Sequence, residues 1–364
     1  MSGAKIVLTG GGTAGHVLPN IALAPRLSAL GFELCYVGSH GGLERGLAEG
    51  AGLPYFGISS GKLRRYFSLA NFTDVFRIAK GVWDSFRLLG RLRPALVFSK
   101  GGFVTVPLVL AARLRGVKVV IHESDLTPGL ANRLAAPFAE KILVSFPESL
   151  GFVDKKKALL TGVPLRDEML RGDAAEGLRF LGFQPGGLPV LLVTGGSLGS
   201  RAINAEARRC LPELLGRFRV ALICGAGNLS GIRMEGYREY EFLRGELPHV
   251  MAAADVVVSR AGAGTLFELL ALKKPHVLVP LTLGQSRGDQ IANAESFRKR
   301  GFSEVLPESG MAGALPGAVA KVYDGRRRYA DAMAAAQGAE TGGAADMAVA
   351  CVLDILGLPA SGRG

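Results

Sequence analysis

The chain holds only four cysteines, Cys35, Cys210, Cys224 and Cys351, with no C-x-x-C spacing among them. Neither a zinc ribbon nor a disulfide framework is built from such a scatter. No apolar run approaches the roughly 20 residues that a membrane-spanning helix needs. The few residues ahead of the first strand-like run leave no room for a signal peptide, so a cytoplasmic chain is the default expectation. Helix-turn-helix, zinc-finger and RRM signatures are missing, which argues against a nucleic-acid partner. The Walker lysine is missing too, and no acidic residue closes the second strand-like run, "ELCYVGSH", where an NAD ribose would want one.

What is present is basic and rich in glycine. The 364 residues carry 51 glycines and a formal net charge of +12. Residues 1–163 hold 20 Lys/Arg against 10 Asp/Glu, whereas the remainder holds 23 against 21. A basic first half suits an anionic membrane surface or a polyanionic substrate. So many glycines without a collagen period imply many tight strand–helix turns.

Strand-like runs alternate with helical ones: "KIVLT", "ELCYVG", "ALVFS", "VKVVIHE" and "KILVSF" are separated by stretches such as "VTVPLVLAARLRG". This βαβ rhythm predicts an α/β fold with doubly wound parallel sheets. After "TGVPLR" the rhythm restarts, and "LLVTGGSLGSRA" repeats the opening "VLTGGGTAGHV". Thr13 then matches Ser197, Gly15 matches Gly199 and His16 matches Ser200. Two Rossmann-like domains facing a cleft are expected, 1–163 and 164–339. The boundary lies near Gly162–Arg166, and a last helix at about 340–360 packs back on the first domain. Ligands collect at the carboxyl ends of parallel strands, so both glycine turns would face that cleft as phosphate sites. Glycines serving tight turns alone are the plainer explanation of each turn.

His16 is expected at or just inside the first helix, whose dipole disfavours imidazolium and keeps the ring neutral and basic. That suits a general base beside a diphosphate, although a ligand contact or a turn cap remains open. "VVIHESDLTPGLANRL" ends a further strand on His122, Glu123 and Asp125; its carboxylates could accept a sugar hydroxyl or support a base. His122 reads as a half-buried scaffold residue. A strict D-x-D metal motif is absent, and "SKGGFVTVP" adds a third glycine turn. In the second half "DVVVSRAGAGTLFELLALKKP" runs a strand into a helix expected near Thr265. The amides of Ala263, Gly264 and Thr265 would face a diphosphate there, with Glu268 one turn in for the hydroxyls of a ribose. Asp289 and Gln290 could read sugar hydroxyls.

Between residues 62 and 93 stand eight basic residues and two acidic ones. Leu69, Phe72, Phe76, Ala79, Trp83 and Phe86 recur at helical spacing, with Lys80 and Arg87 between or after them. This helix either packs on the sheet with a solvated basic face or lies on an anionic leaflet.

"GGGTAGHVLPNIALA", "SKGGFVTVP", "HESDLTPGLANRL", "TGVPLR", "GGSLGSRAIN" and "SRAGAGTLFEL" with "DQIANA" follow one another as in one family. The chain resembles the MurG family, the undecaprenyldiphospho-muramoylpentapeptide β-N-acetylglucosaminyltransferases of the GT-B class. The resemblance spans roughly residues 5–300. It implies an inverting transferase of peptidoglycan biosynthesis that moves GlcNAc from UDP-GlcNAc to the muramoyl 4-hydroxyl of lipid I, giving lipid II. It implies a peripheral membrane protein on the cytoplasmic face of the plasma membrane, with no required cofactor; any Mg2+ stimulation would need no dedicated site. By the same resemblance Arg166 and Ser197 touch the donor's sugar or diphosphate, and the backbone of Leu243 meets uracil. Ala263, Gly264, Thr265, Leu266 and Phe267 surround the diphosphate, Glu268 holds the ribose, and Asp289 and Gln290 hold the GlcNAc. Thr13, Ala14 and Gly15 line the diphosphate side of the cleft, with His16 the candidate base and Glu123 and Asp125 beside it. Three positions depart from the family pattern: Ala14 stands for a glycine, Asp125 for an asparagine, so that it could serve as base in place of His16, and Asp289 for one of a glutamine pair. A UDP-GlcNAc 2-epimerase and a non-catalytic binder of nucleotide or lipid diphosphates are the competing classes.

Overall fold

Buried runs of valine, isoleucine and leucine, each too short for a helix and each closed by glycine or a polar turn, form thirteen strands in two parallel sheets among the described residues. The computed structural model describes residues 3–61, 70–196, 198–336 and 343–359. It divides into two compact units, Met1–Arg166 with Gly342–Gly364, and Asp167–Thr341.

In the first unit the strands are β1 (Lys5–Thr9), β2 (Glu33–Ser39), β3 (Tyr55–Ile58), β4 (Leu96–Ser99), β5 (Lys118–Glu123), β6 (Lys141–Val144) and β7 (Ala158–Leu160). Their order in the sheet is β3-β2-β1-β4-β5-β6-β7, all parallel. The chain reverses direction across the sheet between β1 and β4, and this is the switch point at which a doubly wound sheet opens a crevice. Ile6, Leu8, Leu23, Leu27 and Phe98 form one core layer with Ala348, Val349 and Val352 of the closing helix Ala344–Leu356. That helix packs on the helix Leu18–Ala29, and Arg26 reaches Asp346 at 2.9 Å.

The helix Ala70–Leu92 lies against the helix Thr105–Leu114. Gly81 makes this possible, because a Cβ there would strike the Ser59 carbonyl and stand 3.2 Å from Pro107. Leu88 and Leu89 are buried in the core, with Val82 half-buried beside them. The aromatic stripe is divided: Phe86 packs against the core, whereas Phe76 is 77% exposed and Trp83 60%. Leu69 lies outside the described residues, and nothing is described of the Phe72 side chain.

The second unit holds β8 (Val190–Thr194), β9 (Arg219–Ile223), β10 (Tyr237–Tyr240), β11 (Val256–Ser259), β12 (His276–Leu278) and β13 (Glu304–Val305). Their order, β10-β9-β8-β11-β12-β13, repeats the first sheet's, with the switch point between β8 and β11. In both units a glycine turn leaves the first strand at that point.

Candidate functional site

The first turn is Gly10–Gly11–Gly12 after β1. A Cβ on Gly10 would collide with the His16 carbonyl and lie 3.0 Å from Lys100 Cβ, so the chain doubles back closely here. Gly12 takes φ +90°, open to glycine at little cost. The Tyr36 hydroxyl donates to the Gly10 carbonyl at 2.8 Å, and the Gly11 amide donates to Gly101 of the third glycine turn at 3.3 Å. Thr13 then leads into a single 3-10 turn, Ala14–His16, and the helix proper starts at Leu18. Ala14 keeps an ordinary negative φ there, so the alanine causes no strain.

His16 thus stands ahead of the first helix rather than inside it. Its Nδ1 lies 3.0 Å from the Gly11 carbonyl and 3.2 Å from Thr13 Oγ1. A carbonyl can only accept, so Nδ1 carries the proton and Nε2 is left as the acceptor. The ring is held neutral, its pKa lowered chiefly by burial and then by the Lys100 charge; Asp125 and Glu123 pull the other way. The direction is the expected one, with burial first among its causes.

Lys100, at the end of β4, carries a charge deep inside the unit. It is 1% exposed, and its Nζ donates to His122 Nδ1 at 2.7 Å and to Ser124 Oγ. Burial lowers its pKa to about 8. His122 is fully buried rather than half-buried, and its Nε2 donates to the Gly162 carbonyl at 2.8 Å.

Glu123 is committed to the loop that follows it. One oxygen accepts from the Asp125 amide at 3.0 Å, the other from the Gly129 amide at 2.8 Å and Asn132 Nδ2 at 2.9 Å. Both oxygens of this buried carboxylate are thus engaged in holding the loop, which is the role the geometry gives Glu123. Asp125, at the start of that loop, is half-buried within electrostatic reach of His16 and Lys100.

In the second unit the turn after β8 carries Gly196 at φ +85°, as Gly12 does after β1, and Gly199 at φ +75°. Ser197 lies outside the described residues. Ser200 caps the helix Arg201–Arg209, accepting from the Ile203 amide at 3.4 Å. Arg260, which sequence reading overlooked, ties this turn to two others. Its guanidinium donates to Ser200 Oγ at 2.6 Å and to the Val279 and Pro280 carbonyls at 3.1 and 3.2 Å. It also meets Glu308 at 2.6 Å.

Beyond Arg260 the helix Ala263–Ala271 begins, two residues earlier than expected, which sets Glu268 two residues deeper in the helix. No side chain caps it, and its first turn carries no acidic residue. The amides of Ala263, Gly264 and Thr265 have no acceptor within the helix, and a Cβ on Gly264 would point into open space. Free amides at a helix start have the chemistry to meet an anion. Leu266 and Phe267 are buried, so their side chains serve the core and not a ligand. Glu268 is half-buried. Gln290 Oε1 accepts from the Leu281 amide at 3.2 Å, and its Nε2 comes 3.9 Å from a Cβ built on Gly262. Asp289 opens the helix Asp289–Lys299 and faces Arg287 Nε at 3.5 Å. The Leu243 side chain packs against the core beneath β9, and Arg166 is half-buried at the end of the first unit.

Residues 6–144 match the N-terminal domain of glycosyltransferase family 28, and residues 190–348 match its C-terminal domain. A UDP-N-acetylglucosamine--N-acetylmuramyl-(pentapeptide) pyrophosphoryl-undecaprenol N-acetylglucosamine transferase of Clostridium perfringens is 53% identical over 306 residues, 84% of this chain and 85% of that one. Its counterpart in Geobacillus kaustophilus is 51% identical over 329 residues, 89% and 92% of the two chains. Among solved structures, MurG of Acinetobacter baumannii superposes with a TM-score of 0.72 at 23% identity, over 94% of this chain and 98% of that one. A putative UDP-N-acetylglucosamine 2-epimerase from Listeria monocytogenes superposes at 0.64 with 12% identity, over 97% and 96%, which shows a shared fold alone.

Proposed function

The chain belongs to glycosyltransferase family 28, and on that premise we infer that it transfers N-acetylglucosamine from UDP-N-acetylglucosamine to lipid I, the muramoyl-pentapeptide diphosphoryl-undecaprenol acceptor, to give lipid II. Identity above one half to transferases of that name, over most of both chains, is the observation that carries the reading. The 2-epimerase shares the fold, but its likeness in sequence is far weaker.

Residue roles follow from the chemistry of each unit. The acceptor's 4-hydroxyl gives its proton to His16 Nε2 as its oxygen attacks the anomeric carbon of the donor. The bond from that carbon to the diphosphate breaks, its electron pair leaves with UDP, and the α-linked donor becomes a β-linked product in one inverting step. Asp125 favours the imidazolium that forms, while the uncapped amides of Ala263, Gly264 and Thr265 hold the charge that grows on the diphosphate. We assign Glu268 to the ribose hydroxyls, Asp289 and Gln290 to the GlcNAc hydroxyls, the Leu243 backbone to uracil, and Arg166 and Ser197 to the donor's sugar and diphosphate. We assign Thr13, Ala14 and Gly15 to donor binding on the diphosphate side. No step calls for a resident metal.

No helix among the described residues is long and apolar enough to cross a membrane. We place the protein at the cytoplasmic leaflet through the exposed Phe76 and Trp83, with Arg87 and Arg91 exposed on the same helix and Phe86 half-buried. Lys80 is partly diverted, donating to Ser59 Oγ at 2.8 Å and facing Asp84 at 3.5 Å.

Transfer of radiolabelled GlcNAc to a short-chain lipid I analogue tests the function. Labelled product supports it. Conversion of UDP-GlcNAc without lipid product would move the assignment to an epimerase, and binding without turnover to a non-catalytic protein.

A further inference from the structure

We propose that Lys100 is a positioning residue of the transfer: its buried ammonium anchors the His122–Asp125 segment behind the first glycine turn and keeps His16 unprotonated until the acceptor hydroxyl delivers its proton. This rests on the reading of His16 as the proton acceptor.

Three observations meet at this residue. The Lys100 stem packs under Gly10, the glycine whose Cβ would strike the His16 carbonyl, so turn and lysine share one close approach. The Lys100 amide donates to the Thr9 carbonyl at 2.8 Å, which fixes the residue beside the end of β1. At the far end its Nζ is bound to His122 Nδ1 and Ser124 Oγ, the two residues flanking Glu123, with Asp125 next in the chain. One side chain thus links the ends of β1, β4 and β5, from the turn that carries His16 to the segment that leads into Asp125. A cation in so dry a place is costly, and an apolar residue would fill the volume more cheaply. Its use is electrostatic.

The groups that face His16 can be named. The Lys100 charge opposes its protonation, Asp125 and Glu123 favour it, and the Gly11 carbonyl and Thr13 hydroxyl hold Nδ1. Glu44, beneath Gly11, is bound to the Ser39 amide and hydroxyl. Lys100 itself feels Glu123 and Asp125. Without the ammonium the two carboxylates act on His16 unopposed, and the ring takes up a proton at higher pH. A base already protonated cannot accept from the hydroxyl. His122 cannot substitute as the base, since Gly162 and Lys100 occupy both of its nitrogens.

The test is the pH dependence of transfer in the full-length enzyme with a short-chain lipid I analogue, together with the His16 imidazole titration by 15N NMR. Lys100→Met removes charge and donors; Lys100→Gln keeps donors for His122 and Ser124, so misfolding of one leaves the other to be read. The expected result is an acid limb of kcat, and a His16 titration, displaced upward by about half a pH unit or more in both variants. Ser124→Ala, which removes a partner but not the charge, should leave both in place. An unmoved His16 titration in folded Lys100 variants overturns the proposal. His16→Asn separates the two readings: if it keeps the wild-type rate and acid limb, His16 is not the base, whatever the titration shows.

Discussion

His16 Nδ1 lies 3.0 Å from the Gly11 carbonyl oxygen, and this contact sets the tautomer of the candidate base. With Nδ1 donating, Nε2 is the nitrogen left to accept a proton. Because the ring's pKa is lowered, first by burial, His16 is neutral at and below pH 6.5 until its displaced pKa is reached. Transfer should therefore be flat across neutral pH and fall only on stronger acidification. His16→Ala should lower kcat by about 10²-fold or more, the usual worth of a positioned base. Asp125→Asn, which removes a charge but not the base, should cost less. A larger loss in Asp125→Asn than in His16→Ala would hand the base role to the carboxylate.

Glu123→Gln should act chiefly on the loop, and on the proton only by removing a charge that favours His16 protonation, which moves the acid limb of kcat to lower pH. The carboxylate receives three donors, the amides of Asp125 and Gly129 and the Asn132 side chain, and a carboxamide can present only one oxygen to them. Leaving buried donors facing an NH2 group costs about 1–3 kcal/mol, so urea unfolding should show a loss of that size. The acid limb of kcat should stay with His16. If Glu123→Gln unfolds like wild type and yet loses the acid limb, Glu123 is a proton carrier after all.

The sheets and both glycine turns were legible in the sequence because their signals are local: short apolar strands, glycine where the backbone doubles back, helical runs between. What was missed depends on residues far apart in the chain. Lys100 stood in a quoted glycine motif, yet its partners lie 22 and 24 positions on, and nothing in "SKGG" marks a lysine as buried. Arg260 meets Ser200 across 60 positions in the same way. Glu123 looked catalytic because its three donors come from a loop whose path the sequence does not reveal. The helix before Arg93 shows a different limit. Its spacing was right, but periodicity cannot say which apolar residues face the core, and Val82, Leu88 and Leu89 share that place with Phe86 while Phe76 and Trp83 stay exposed.

Gly264 separates folding from donor binding. It sits in the first turn of an uncapped helix with open space where a Cβ would go. Gly264→Ala should therefore stabilise the protein by about 0.5–1 kcal/mol, the ordinary gain of alanine over glycine in a helix. The same methyl would crowd the place from which a diphosphate meets the amides, so KM for UDP-GlcNAc should rise. Stability and donor affinity should thus move in opposite directions. An unchanged KM would place the diphosphate elsewhere.

Phe76 and Trp83 should matter for vesicles and not for soluble acceptor. Both are well exposed on the helix Ala70–Leu92. Trp83 stacks on Phe86 at 6.3 Å between centroids, and Arg115 lies over the same Phe86 ring at 3.8 Å. Losing one large apolar group from a leaflet costs about 1–2 kcal/mol, so Phe76→Ser and Trp83→Ser should each weaken flotation with anionic vesicles about 5- to 30-fold. Arg87→Gln should cost about 1 kcal/mol, and that loss should vanish with salt. Full retention on vesicles by the double serine variant would move the membrane contact off this helix.

Lys100 also makes a prediction about stability alone. Burial lowers its pKa from 10.5 to about 8 in the folded protein. Below pH 8 both folded and unfolded chains hold the proton, so the cost of burying the charge is constant. Between 8 and 10.5 the unfolded chain binds more protons than the folded one, and the folded state gains stability as pH rises, by about 1.4 kcal/mol per unit. Lys100→Met lacks this group, and the other titration that it is expected to move, that of His16, lies on the acid side of this range. The stability difference between the two proteins, from urea unfolding at successive pH values, should hold steady from pH 6 to 8 and then turn in favour of wild type. A difference that stays level to pH 10 would mean that water reaches Lys100, and that its ammonium is not confined beneath the first glycine turn.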